Sequence, residues 1–184
     1  MKQKSTVYQL TTCALMAALM CILGPMSIPI GPIPISFTNL VLYLTVYLLG
    51  AKGATISYLV YMLLGAAGMP IFSGYTGGLA KLAGPTGGYL VGFVFITLIS
   101  GIVLERTNAQ PVWTFLAMVV STAIAYALGT AWFMFQSQTP LWSALTLCVF
   151  PFIPADLAKM VVATGLGKAV RAALEKAQLL PQAS

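Results

Sequence analysis

The sequence predicts an all-α membrane protein: six transmembrane helices in a compact bundle, both termini cytoplasmic, with ligand lids on the outer side. Three observations carry this. Of the 184 residues, 59% are hydrophobic and only 7% charged, where a soluble domain carries about a quarter charged residues. Gly, Pro and the few charges cut the chain into six apolar stretches of roughly membrane-spanning length. The Lys and Arg residues gather in alternate connections, as cytoplasmic loops require.

In chain order the predicted spans are 7–23, 37–50, 53–69, 86–104, 112–135 and 153–174, within one integral membrane domain, 1–184. The first follows MKQKS and lacks an A-x-A-like cleavage site, so it reads as a helix that stays rather than a signal peptide. The run 142–150 is too short to span and is broken by Pro151 and Pro154. It reads as a half-helix or interfacial piece. With six spans, Lys2, Lys4, Lys52, Arg106, Lys168, Arg171 and Lys176 share one side, Lys81 takes the other, and Lys159 lies inside a span. That bias sets the seven-residue side as cytoplasmic. The net charge of +6 is thus a topology signal and not a sign of nucleic-acid binding; the partner surface is membrane lipid, and the location a multi-pass place in the cell membrane.

The outer connections are long and rich in Gly and Pro: 24–36, 69–85 and 137–142. Irregular backbone near membrane depth is tolerated where protein or a watery cavity surrounds it. The prediction is a site open to the outside, covered by these loops. Asp156 and Lys159 fall in the first two turns of the last helix, three residues apart and so on one face. Placing a charge inside a membrane costs about 2.5–3.5 kcal/mol on insertion scales, so such residues face a partner or a cavity. A self-neutralising pair that merely tolerates burial is one reading. The favoured one is a ligand contact, with Asp156 accepting from N–H groups and Lys159 donating to a carboxylate or carbonyl. In KLAGPTGGYLVGF, 81–93, Thr86 is placed to cap a helix. Gly87 and Gly88 would leave N–H groups free for an anion or carbonyl, and Tyr89 could stack on a ring. Ala14 and Ala18 form a small-xxx-small pair suited to close helix contact, inside the bundle or with another membrane subunit.

Some functions are excluded. The chain has no histidine and three acidic residues, which leaves no Ser-His chemistry, no H-E-x-x-H zinc site and no carboxylate dyad. GLGK at 165–168 lacks the spacing of a phosphate-binding loop. No cofactor is expected, and no enzymatic activity. The three cysteines, Cys13, Cys21 and Cys148, sit singly in apolar runs and read as small packing residues.

Three stretches, IPIGPIPIS (28–36), GMPIFSGYTGGLAKLAGPTGGYLVGF (68–93) and PADLAK (154–159), together resemble the BioY family, the biotin-binding S components of energy-coupling factor (ECF) vitamin transporters. The resemblance runs from the first helix to the last. It implies a six-helix bundle that captures biotin outside with high affinity and depends on an ECF transmembrane coupling subunit and two ATPase subunits for release inside. It also implies that Asp156 and Lys159 contact the ureido group, that Ala14 and Ala18 meet the coupling subunit, and that 24–36 is a lid. Where the family commonly has T-L-Q-T this chain reads SFTN, 36–39, so a contact made there by glutamine passes to Asn39. Lys81 is either a second cation for the valerate carboxylate or a loop lysine. Phe37, Tyr43 and Tyr89 would supply aromatic walls. The alternatives are a solitary ion-coupled vitamin permease, with Asp156 as coupling site, and a non-transport assembly subunit of a membrane complex.

Overall fold

The structure, a computed structural model, describes residues 2–30 and 32–177. The ends of the predicted domain, residues 1 and 178–184, lie outside it, as do the side chains of residues 2–6, Lys2 and Lys4 among them, and of Glu175. The described chain is mainly helical. In order it forms α1 (Lys2–Leu23), a two-stranded ribbon of β1 (Ser27–Ile28) and β2 (Ile35–Ser36), α2 (Thr38–Ala66), a short α3 (Leu79–Ala83), α4 (Gly87–Arg106), α5 (Pro111–Ser137), α6 (Leu141–Cys148) and α7 (Phe152–Lys176).

The two predicted spans 37–50 and 53–69 are the two arms of α2. Gly50, at φ 67° and ψ −167°, holds a conformation that is essentially open only to glycine, and there the chain turns back. On the first arm, Asn39 meets Asp156 and Tyr47 meets Arg171. On the second, Thr55 meets Thr97 and Tyr58 meets the Leu90 carbonyl, so this arm runs antiparallel to α4. Glu105 closes the turn by accepting the Ala51 N–H at 2.8 Å, satisfying a donor that the arm's N-terminus would otherwise leave orphaned. The second arm ends at Ala66, three residues short of the predicted 69, because the chain leaves the helix through Gly68 at φ 108°.

By length and composition α4 and α5 can each cross a membrane, α6 with α7, bent by 42°, makes a further candidate, and α2 is long and apolar enough over its 29 residues but is broken at Gly50. Three clusters form the core, one of them Ile33, Tyr89, Phe133, Cys148 and Phe152, and the other two are larger. Tyr43, Val46, Tyr47, Ile96, Met118 and Met160 fill one; Met20, Val41, Tyr58, Tyr61 and Phe72 fill the other. Small residues let the helices close in: an added Cβ at Gly101 would fall 2.3 Å from Ala51, and one at Gly92 would fall 2.9 Å from Ala125. Interiors of this kind gain from many weak contacts at close range.

The run 142–150, read as a half-helix, is α6 followed by a tight turn. Pro154 sits at the third position of α7, where a missing N–H costs nothing. The loops that follow α1 and α2 are tied to one another. Phe37 donates to the Met26 carbonyl at 3.3 Å, and Gly74 to the Pro25 carbonyl at 3.0 Å. The ribbon pairs Ser27 with Ser36 and Ile28 with Ile35, and Ile33 and Pro34 lie beside Tyr89 of α4 and Phe152 of α7.

Candidate functional site

Asp156 is buried, 2% exposed, in the second turn of α7, and three elements converge on it. Its Oδ2 accepts from Asn39 Nδ2 of α2 at 2.9 Å and from the Tyr126 hydroxyl of α5 at 2.6 Å. Its Oδ1 accepts from Lys159 Nζ at 2.9 Å. Lys159 also donates to the Ser36 carbonyl of β2 at 2.8 Å, so the pair pins the ribbon to α7. A buried ion pair is tolerable only when further hydrogen bonds satisfy its remaining positions, and here Asn39, Tyr126 and Ser36 supply them.

Counting what remains defines the chemistry. A carboxylate has about four lone-pair positions and an ammonium three donors. Oδ2 is filled twice and Oδ1 once; Nζ has used two of its three N–H bonds. One acceptor position on Oδ1 and one donor on Nζ are left side by side. They border a small cavity lined by Ile33, Pro34, Tyr89, Phe93 and Phe152 together with the polar residues just named. An N–H next to a C=O, as on the edge of a cyclic amide or urea, complements that pair.

Of the residues singled out from sequence, Asp156, Lys159, Asn39 and Tyr89 come together around this cavity. Tyr89 offers its ring only, since its hydroxyl is bound to Thr130 at 3.0 Å and the Cys148 carbonyl at 3.3 Å. Tyr43 is buried one turn below Asn39 and holds Thr122 at 2.7 Å. Phe37 stands at the entrance to α2, partly exposed. Neither lines the cavity. Lys81 lies on α3, away from the cavity lining, and partial burial pulls its ammonium pKa below the usual value. Gly87 and Gly88 serve packing: an added Cβ would fall 1.7 Å from the Leu82 carbonyl oxygen in one case and 2.3 Å from Trp132 in the other. Thr86 stands at the N-cap of α4 but its side chain makes no capping bond; with φ −90° and ψ −6° it lacks the extended backbone that lets a cap hydroxyl reach the first free N–H groups. Ala14 and Ala18 are exposed on α1, whose other face packs through Met16, Ala17 and Met20.

Tyr126, Phe93, Phe152 and Ser36 escaped the sequence reading. For Tyr126 a signal existed: Thr122, Tyr126 and Thr130 recur every four residues on apolar α5, which puts three hydroxyls on one face. Behind Tyr126 a larger cleft of about 660 Å³ separates α5 from α6 and α7, lined by apolar side chains such as Met134, Leu145 and Ile153. It is the larger space, yet Asp156 is the one charged side chain in its lining, so polar recognition belongs to the smaller cavity.

The model of the BioY family matches residues 1–176. A biotin transporter named BioY2 from Lactococcus lactis subsp. cremoris is 34% identical over 172 residues, covering 94% of each chain. One named BioY from Thermotoga maritima is 36% identical over 155 residues, 84% of this chain and 90% of that one. Among solved structures, the S-component for biotin from an ECF-type ABC transporter superimposes with a TM-score of 0.86 at 30% identity, over 93% of this chain and 94% of that one.

Proposed function

The chain belongs to the BioY family, and on that premise we propose that it captures biotin at the outer face of the cell membrane as the substrate-binding S component of an ATP-driven ECF transporter. One observation carries the reading: the free acceptor on Asp156 Oδ1 beside the free donor on Lys159 Nζ, 2.9 Å apart, in a site otherwise walled by aromatic and aliphatic groups. Biotin's ureido edge offers the complementary N–H and C=O, and its sulfur ring suits Tyr89, Phe93 and Phe152. Small-molecule sites are built this way, mostly apolar with a few placed polar groups.

In this reading α1, the two arms of α2, α4, α5 and α7 are six crossings, with both termini cytoplasmic and the ribbon of 24–36 as outer lid. Lys159 holds that lid through Ser36, so ligand capture and lid closure share one cation. Lys81, on α3, takes no part in the site, since it lines neither space. Energy comes from outside the chain: a transmembrane coupling subunit, met through the exposed Ala14 and Ala18, and two ATPase subunits.

The test is uptake and binding of labelled biotin by membranes holding this chain with and without the partner subunits. The proposal expects binding in both and ATP-dependent uptake only with partners. Uptake by the chain alone that collapses with an uncoupler would point instead to an ion-coupled permease. No binding in either would point to an assembly role.

A further inference from the structure

The cavity beside Asp156 measures about 40 Å³, room for a few waters at about 10–15 Å³ each. Small-molecule sites run to about 300–1,000 Å³, so a ligand enters only if a wall moves. On one side the wall is the ribbon with Phe152. On the other it is Tyr126. Among the described residues Tyr126 and Asp156 alone border both the small cavity and the 660 Å³ cleft. Asp156 is held by Asn39 and Lys159 whatever Tyr126 does. Tyr126 is half-buried, is joined to the polar cluster through its hydroxyl, and borders the larger cleft as well.

We propose that Tyr126 is the gate of the site. On ligand entry its ring turns into the cleft between α5 and α6–α7, its hydroxyl leaves Asp156 Oδ2, and the ligand N–H seated at the open Oδ1 position also reaches the vacated one. The two spaces then join into one volume within the range of small-molecule sites. The inference rests on the reading of this chain as a biotin binder and adds how room is made. It also explains why a hydroxyl is spent on a carboxylate that already has two partners: until the ligand arrives, the phenol fills the second acceptor position of Oδ2, beside Asn39.

The gate predicts the sign of an effect that a fixed contact would reverse. Tyr126→Phe removes a hydrogen bond present only in the ligand-free state, so the purified full chain should bind labelled biotin about 10- to 150-fold more tightly, the size of one hydrogen bond to a charged group. An unchanged or weakened affinity overturns the gate, because the hydroxyl would then be retained on binding. Tyr126→Leu removes ring and hydroxyl together and answers the same question should the Phe variant unfold; it too binds more tightly if the ring must leave, and weaker binding overturns the proposal. If the wild type itself retains no biotin, the biotin reading falls; if it binds and Tyr126→Phe binds less well, only the gate falls.

Discussion

Replacing Asp156 by Asn changes one atom and the whole balance of the site. The Asp156 side chain is 3% exposed and that of Lys159 11%, so the cation left behind stays desolvated. Removing one partner of a buried pair costs about 3–5 kcal/mol, softened here because Lys159 keeps the Ser36 carbonyl. The amide also brings an NH2 group to a place where Asn39, Tyr126 and Lys159 all donate, so at least one donor loses its acceptor. The ligand loses a charged acceptor for its N–H, about 1.5–3 kcal/mol, or about 10- to 150-fold in affinity. Equilibrium dialysis against labelled biotin, with thermal unfolding of the ligand-free protein, separates the two effects. The double variant Asp156→Asn, Lys159→Met removes the stranded charge, so it should recover part of the melting temperature but none of the affinity. Binding by Asp156→Asn within threefold of wild type would remove the carboxylate from the site and refute the reasoning.

Three further predictions concern other parts of the chain. Gly50→Ala forces a side chain into φ 67°, with its Cβ 2.2 Å from Glu105 Oε1; it should cost about 1–3 kcal/mol, seen as a lower melting temperature in detergent, and an unaltered melt would mean that the turn relaxes freely. Ala14→Trp adds bulk to an exposed face of α1; biotin binding by the isolated chain should persist while co-purification with the coupling subunit fails, and equal loss of both would place Ala14 inside the bundle. Cutting the lid tie with Lys159→Met should speed both entry and escape of biotin in stopped-flow measurements, since the ribbon loses its anchor on α7; unchanged rates would mean that the backbone bonds Phe37–Met26 and Gly74–Pro25 hold the lid alone.

Much of the molecule was legible because a membrane simplifies the code. Twenty apolar residues in a row have few fates, so the helices appear near their expected limits, and Gly50 marks the turn between two of them. Asp156 and Lys159 stood out for the same reason, as costly residues in an oily run. Asn39 could be named because SFTN, 36–39, departs from the T-L-Q-T of the resembled family, which passes the glutamine's contact to it. What stayed hidden depends on long-range closeness. Gly87 and Gly88 look like an open anion cradle until Leu82 and Trp132 are seen pressed against them. Tyr126 looks like any aromatic in an apolar helix, and only the fold brings it from α5 to a carboxylate 30 residues away.

The central claim is that the Asp156–Lys159 edge reads the ureido group of biotin. Its most direct test is calorimetric titration of the purified chain, without partners, against biotin, alongside the double variant Asp156→Asn, Lys159→Met. Tight one-to-one binding by the wild type and none by the variant, which remains folded, is the predicted result. Binding of equal strength by both would contradict it.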